Sequence, residues 1–359
     1  MTQGKQLLDF SGTTIYCGID VHKKNWQVNI QDSEFELENF SQNADAALLH
    51  KHLTRRYPGA SFKVCYEAGF SGFSAQRLLQ HHGMECLVIN AADVGTTDKE
   101  KRHKTDKTDA RKLCHHLQNK QAKSVYIPAV AWEHARSLVR TRSRLVNDQT
   151  RCKNRIWQLL NFSGIEPSNG QQVGQYWSKR FVEQLQQLSA EQDDALAQAL
   201  DLHLRHYQST RQLLLEATRT IRKLCGQQQY AASIELLRSI PGIGPINAAI
   251  ILFEVLDIYR FKHFDQLCSY VGLVPDVAES GDIKHTMGIT NRHNHFLRTA
   301  LVESSWVVIR KDPALLMKYK KYCKRMNTNK AIIRVAKHLL ARIYFVLRKQ
   351  EKYIQGIVA

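Results

Sequence analysis

The chain has 359 residues, of which 43% are hydrophobic and 23% charged, as is ordinary for a soluble globular protein of two or three domains. Its 51 Lys and Arg against 33 Asp and Glu give a net charge of +18, and an excess of this size indicates a polyanionic partner. No apolar run approaches the roughly 18–20 residues that span a bilayer, and the first residues lack a signal-peptide layout. These features argue against a membrane and favour nucleic acid in a cytoplasmic setting.

The first 120 residues show strand and helix patterns in alternation. The patterns predict two strands joined by a turn over 13–31 and a third strand over 34–40. They then predict a helix over 43–57, a strand over 61–69, a helix over 71–83, a strand over 84–90 and a helix over 105–120. This order predicts an α/β domain over 10–125, in which helices pack on a mixed sheet.

Two acidic residues end predicted strands, and two more lie together in a predicted helix. Asp20 ends the first strand, in "GID", and Glu67 ends the fourth, in "YEAG". Asp106 and Asp109 are three residues apart in the basic run "DKEKRHKTDKTDARK", and this spacing places them on one helix face. Mg²⁺ prefers oxygen ligands, and two Mg²⁺ ions about 3.5–4 Å apart promote phosphodiester displacement in many enzymes. The four acids together therefore predict a Mg²⁺ site.

Each acid also has a structural interpretation. Asp20 suits a turn, Glu67 could cap a helix, and Asp106 and Asp109 could pair with neighbouring cations. The occurrence of all four acids in this order, on a predicted mixed sheet with a closing helix, favours a common metal site.

Beyond about residue 128 the sequence has the pattern of long helices. The apolar spacing predicts one helix over 130–162 and further helix over 176–226, with a polar, Gly-containing break at 168–174. Paired long helices of this kind form an antiparallel hairpin or a coiled coil, so we assign 130–226 to a helical connector. A compact all-α domain is predicted over 230–350.

The run "SIPGIGP" separates two helical patterns in this last domain, with glycines at Gly242 and Gly244. A Gly-rich turn between helices exposes backbone N–H groups that can bind phosphate, as in a helix-hairpin-helix DNA-binding motif. A plain helix–helix turn also uses Gly and Pro, so both interpretations stay open at this point.

The stretches "GIDVHKKNWQV", "CYEAG" and "KTDKTDARKL" together resemble the N-terminal domain of the DEDD transposases of the insertion sequence 110 family. That domain is an RNase H-like nuclease domain of the kind found in the Holliday-junction resolvase RuvC. The resemblance implies that four acids bind Mg²⁺ and are catalytic, namely Asp20, Glu67, Asp106 and Asp109. It also implies that nearby cations face the phosphate backbone, namely Lys104, Lys107 and Arg111.

The second half resembles the C-terminal domain of the same family. The matching parts are "GLVP" at 272–275, the pair Ser280 and Gly281, and "NRH" at 291–293 leading into "LR" at 297–298. The residues alone favour a turn residue at Ser280, whereas the resemblance implies a nucleophile that attacks DNA and becomes covalently linked to it. Cations that stabilise the developing phosphate charge are then expected at Lys284, Arg292 and Arg298.

The resemblance implies a transposase that cuts and rejoins the DNA of an insertion sequence, acting on element ends and target in the bacterial nucleoid. It also implies a structured guide (bridge) RNA as a partner, and assembly of copies of the chain into a dimer or tetramer. Two alternatives stay open. The same acids could serve a hydrolytic Holliday-junction-type nuclease in which Ser280 is idle, or the protein could bind nucleic acid without catalysis.

Overall fold

The computed structural model describes residues 9–95, 105–166, 176–191, 194–280 and 283–355, without the side chains of 277–280 and 283–287. The chain forms two compact units, Met1–Ile127 and Pro128–Ala359. Both predicted later parts, 130–226 and 230–350, lie within the second unit, and their separation into two domains stays a prediction. No helix in the described ranges is long and apolar enough to cross a membrane.

The first unit is built on a five-stranded mixed sheet. Its strands are β1 (Thr14–Val21), β2 (Asn25–Gln31), β3 (Glu36–Asn43), β4 (Ser61–Glu67) and β5 (Glu85–Ile89). Their order across the sheet is β3-β2-β1-β4-β5. The β1–β2 and β2–β3 pairs are antiparallel, and the β1–β4 and β4–β5 pairs are parallel. The α/β domain with a mixed sheet, predicted from the sequence, is therefore confirmed.

Helices cover both faces of this sheet. They are α1 (Ala46–Arg56), α2 (Ser74–His81) and α3 (Asp106–Gln118). Successive residues of β4 point to opposite faces, as the pleat requires. Val64 and Tyr66 share a core with Leu49 of α1, whereas Cys65 packs with Leu113 of α3. The helix that carries the paired aspartates thus lies on its own face of the sheet.

Two long helices dominate the start of the second unit, with a shorter helix beside them. They are α4 (Val130–Phe162), α5 (Lys179–Ala190) and α6 (Ala195–Cys225). The first turns of α4 pack with the last turns of α6, and the last turns of α4 pack with the first half of α6. The pair is therefore antiparallel, as the apolar spacing predicts for a hairpin.

The remaining helices of this unit enclose a large apolar core. They are α7 (Gln228–Arg238), α8 (Pro245–Val255), α9 (Phe264–Val271), α10 (His295–Val308), α11 (Pro313–Cys323) and α12 (Thr328–Lys349). A buried ion pair ties this core to α4, because Arg140 donates two hydrogen bonds of 2.6 and 2.8 Å to the fully buried Glu254 of α8. Asn294, which caps α10, donates a third at 2.8 Å.

The prediction of an all-α C-terminal domain is wrong at one place. Residues 275–289 form an antiparallel hairpin of β6 (Pro275–Ser280) and β7 (Ile283–Ile289). Ser280, which the residues alone favour as a turn residue, is the last residue of β6, and Gly281 lies outside the described residues. The enrichment of "DIKHTMGIT" in β-branched residues, which are four of its nine, is the signal for the second strand.

Candidate active site

The approach of helix α3 to strand β1 depends on a glycine. A Cβ atom at Gly18 would lie 2.2 Å from the carbonyl oxygen of Ala110 and 2.3 Å from the backbone nitrogen of Cys114. Only hydrogen fits in this space, so the helix backbone can rest directly on the strand. The Sγ of Cys114 donates a hydrogen bond of 3.1 Å to the carbonyl of Tyr16, which fixes the helix along the strand.

The N-terminus of α3 is held by a capping box. The hydroxyl of Thr105 accepts from the backbone N–H of Thr108 at 3.3 Å, and the hydroxyl of Thr108 accepts from the N–H of Thr105 at 3.1 Å. Asp106 and Asp109 both lie in the first turn. The positive end of the helix dipole stabilises negative charge there, which helps the helix to carry two neighbouring carboxylates.

The structure brings Asp20 and Asp106 together around a histidine that the sequence analysis did not select. The Nε2 of His22 lies 3.2 Å from Oδ2 of Asp20 and 3.3 Å from Oδ2 of Asp106. Within the described ranges these three residues form a group whose possible ligand atoms all lie within 4.8 Å of one another. The i, i+2 spacing of Asp20 and His22 at a strand end is the sequence signal that could have identified the histidine.

Burial and neighbouring charge both act on Asp20. Partial burial raises the pKa of its carboxyl above the ordinary value. Negative charge on Asp106 and Asp109 raises the pKa further, while His22 partly opposes the shift. Ionised Asp20 is thus held close to two other carboxylates in a partly desolvated position. A bound cation would relieve this repulsion.

The other two predicted acids lie near this group without belonging to it. Tyr66 is the last residue of β4 that pairs with β1, opposite Ile19, so Glu67 follows at the same sheet edge as Asp20. Asp109 acts on the pKa of Asp20 through its charge. Neither Glu67 nor Asp109 is a member of the three-residue group found among the described residues.

The donor set fits a divalent cation. Two carboxylates on different elements converge, which matches the oxygen preference of Mg²⁺. The imidazole of His22 adds a nitrogen donor, which Mn²⁺, Zn²⁺ and other transition metals accept more readily. The residues present could therefore hold a divalent ion, with Asp20 and Asp106 as its nearest carboxylate ligands.

The cations predicted around this site have different surroundings. Lys104 lies outside the described residues. Lys107 is exposed in the first half of α3. Arg111 makes a bidentate ion pair with Glu36 of β3, with nitrogen–oxygen distances of 2.6 and 2.9 Å. Arg111 therefore ties α3 to the sheet instead of pairing with the aspartates.

The glycines of the "PGIGP" turn, which joins α7 to α8, differ from each other. Gly242 has a φ of +88°, and a Cβ there would lie 2.8 Å from the backbone nitrogen of Val308 in α10. Gly244 has an ordinary φ of −81° as the N-cap of α8, and a Cβ there would meet nothing within 4 Å. Close packing against Val308 explains why residue 242 is a glycine. Of the two glycines, only Gly244 has open space around it, at the N-terminus of α8.

The predicted serine region is described mainly through its backbone. Ser280 pairs with Ile283, and Glu279 pairs with Lys284 in the register of the hairpin. Arg292 is exposed in the segment before α10. Arg298 donates hydrogen bonds of 3.1 Å to the carbonyls of Gly272 and Thr290. Arg298 therefore holds the two ends of the hairpin against α10.

Two family models match separate parts of the chain, one in each half. A model of DEDD-type IS110 transposases, described as "Transposase", matches residues 17–164, a range that contains all four predicted acids. A second, described as "Transposase IS116/IS110/IS902 family", matches residues 234–320, which include Gly242 and Ser280.

Individual relatives extend the likeness along most of the chain. A Sinorhizobium fredii protein named "Putative transposase y4rJ" is 28% identical over 323 residues, covering 78% of this chain and 76% of the relative. A second from that organism, "Putative transposase y4qE", is 28% identical over 315 residues, covering 85% and 74%. The Coxiella burnetii "Transposase for insertion sequence element IS1111A" is 26% identical over 264 residues, covering 71% and 70%.

Proposed function

The chain belongs to the IS110 family of DEDD transposases, and we propose that it cuts and rejoins DNA with a carboxylate metal site and a serine nucleophile. The metal site consists of Asp20, Glu67, Asp106 and Asp109, and the nucleophile is Ser280. The observation that carries the proposal is the convergence of Asp20 and Asp106, from a strand end and a helix start, on one small group.

The topology of the first unit supports an RNase H-like, RuvC-like fold. A β3-β2-β1-β4-β5 sheet, antiparallel on one side of β1 and parallel on the other, places the ends of β1 and β4 side by side. Ligand and catalytic groups collect at such strand ends in sheets covered by helices. The acids at the ends of β1 and β4 and at the start of α3 follow this rule.

The carboxylates, together with His22, would position and hold the divalent ion. A bound Mg²⁺ would supply electrostatic stabilisation to the charge that develops on a phosphate during strand cleavage. Asp20 and Asp106 must be ionised to hold it, and the raised pKa of Asp20 means that this ability is lost earlier on acidification than for an ordinary aspartate.

Ser280 performs the covalent step. As its Oγ forms a bond to phosphorus, the hydroxyl proton leaves, the phosphorus–oxygen bond to the DNA strand breaks, and the displaced DNA oxygen takes up a proton. The phosphoserine ester conserves the energy of the broken bond, so a second exchange can rejoin the strand without a high-energy cofactor. We propose Lys284 and Arg292, in the same segment of the chain, as the cations that stabilise phosphate charge.

The partners follow from the family resemblance. We propose DNA of the element ends and target as substrate, a structured bridge RNA as guide, and assembly as a dimer or tetramer. The net charge of +18 supports a polyanionic partner.

The acids are tested by metal binding and by strand cleavage. We expect Asp20→Asn and Asp106→Asn each to weaken Mn²⁺ binding, measured by titration calorimetry, and to lower cleavage of element-end DNA by roughly 100-fold or more. Glu34→Gln, an exposed acid on the same unit, is the control and should change neither measurement. Unchanged Mn²⁺ affinity in both aspartate variants would contradict the proposed site.

A further inference from the structure

A cavity of about 690 Å³ lies in the second unit, between the base of the β6–β7 hairpin and the first turns of α12. Its walls include Leu273, Pro275 and Ile289 on the hairpin side and Met326 and Ile333 on the helix side. The lining is predominantly apolar, and Ile289 is 37% exposed although it is a large hydrophobic residue. Clefts of about 300–1,000 Å³ with apolar walls and a few polar groups are typical binding sites for small molecules and cofactors.

One wall of the cavity is cationic. Lys330, Arg334 and Lys337 line it from α12 and, at spacings of four and three residues, lie along one face of that helix. Among the residues that the structure describes, none of the three forms an ion pair with a carboxylate. Three cations without a described carboxylate partner, of which Arg334 also lies 5.9 Å from the centre of the Tyr322 ring, border the apolar recess. The site is therefore complementary to a ligand that is anionic at one end and apolar at the other.

We propose that this cavity binds one unstacked nucleotide of the DNA strand, with its base against Ile289 and Ile333 and its phosphates on Lys330, Arg334 and Lys337. The inference rests on the proposed function for the identity of the polymer as DNA. Apolar walls accept the flat face of any base, whereas flanking phosphates supply the negative charge. A duplex with all its bases stacked would bring charge to the cations but nothing to fill the recess.

The position of the cavity gives this nucleotide a role. Pro275 lines the cavity, and β6 runs from it to Ser280, a span of five residues, or roughly 17 Å at about 3.3 Å per residue. A nucleobase held in this cavity therefore fixes the DNA strand at a point several nucleotides from Ser280. The cavity acts as a positioning site that sets which phosphate reaches the nucleophile.

The test measures the contribution of the nucleobases to binding separately from that of the sugar–phosphate backbone. Two fluorescein-labelled oligonucleotides of equal length are used, one of thymidine and one of abasic (tetrahydrofuran) residues, and binding to the full chain is followed by fluorescence anisotropy in EDTA. We expect the wild-type protein to bind the thymidine strand at least about fivefold more tightly, as stacking of a base predicts. Ile289→Ser and Ile333→Ser should reduce this preference towards unity while weakening binding of the abasic strand little.

A matched cation variant gives the control. Lys320→Ala removes an exposed cation of α11 that does not line the cavity, so it should leave the affinity for both strands unchanged. Arg334→Ala should weaken binding of both strands. Because Ile289 is partly exposed, its variant should fold normally, and thermal unfolding checks this.

Either of two results would overturn the proposal: no preference for thymidine in the wild-type protein, or a preference that survives both isoleucine changes. Binding in EDTA requires neither the metal site nor Ser280. An inactive carboxylate or serine site would therefore leave the base preference in place, so a failure of the proposed function is distinguishable from a failure of the cavity proposal.

Discussion

Asp20, a proposed metal ligand, occupies a position that is unfavourable for its own ionised side chain. Its carboxyl is partly buried, and two further aspartates act on it through space. An ionised carboxylate in this position opposes folding in the absence of a cation, and this cost is expected of a residue whose proposed role is to bind one. His22 provides the compensating group that the structure shows, at 3.2 and 3.3 Å from the two nearest carboxylates.

We therefore expect Asp20→Asn to raise the melting temperature of the metal-free protein at neutral pH. The pKa of Asp20 in the folded protein lies above its unfolded value, so ionisation above that pKa lowers stability, and a neutral amide removes this effect. The advantage should shrink as the pH falls through the raised pKa, because wild-type Asp20 is then neutral as well. Calorimetric melting against pH is the measurement, and a melting temperature lowered at neutral pH would contradict the argument.

At the scale of elements, the site depends on how closely α3 rests on β1. The absence of a Cβ at Gly18 allows this close approach, and the Cys114 hydrogen bond and the Arg111–Glu36 ion pair hold the helix in place. Because the helix brings Asp106 to the end of β1, any change that lifts the helix separates the two halves of the acidic group.

Gly18→Ala should consequently destabilise the first unit and weaken metal binding together. The new methyl group meets backbone atoms at 2.2 and 2.3 Å, which cannot move aside as a flexible side chain can. Overpacking of this kind costs about 1–3 kcal/mol or more. Gly95→Ala is the matched control, since a Cβ there meets nothing within 4 Å. Urea unfolding and Mn²⁺ titration of both variants test this, and equal behaviour of the two would count against it.

The turn between α7 and α8 offers a second matched pair. Gly242→Ala should lower the free energy of unfolding by about 1–2 kcal/mol or more, because its φ is positive and Val308 leaves no space for a methyl group. Gly244→Ala should cost less than about 1 kcal/mol and act instead on DNA affinity, since its open backbone is the part that phosphate can approach. Urea unfolding and DNA titration distinguish the two effects, and the reverse order would refute this assignment.

The element order of the first unit was predictable because its central strands are short apolar runs bounded by polar turns and its helices show helical apolar spacing. The hairpin at 275–289 was not, because a Ser-Gly segment is as common in a loop as at a strand end. Gly18 and His22 were missed for a different reason. Their importance comes from contacts with Ala110 and Asp106, about 90 residues away in sequence, which local patterns do not encode.

At the scale of the whole molecule, two units carry the two chemical functions of one proposed reaction. The first unit holds the acids, and the second holds strand β6, which ends at Ser280. The two family matches fall one mainly on each unit, which agrees with this division. A transposase of this design differs from a metal-dependent nuclease only by the serine, so the serine decides between them.

Covalent trapping tests that distinction most directly. The protein is incubated with end-labelled DNA spanning the element junction, Mg²⁺ and RNA transcribed from the element flanks, and denatured before electrophoresis. We predict a protein–DNA adduct that disappears in Ser280→Ala and persists in Ser269→Ala, a serine of helix α9. Cleavage without an adduct, equal in wild type and Ser280→Ala, would contradict the serine mechanism and assign the acids to a hydrolytic nuclease.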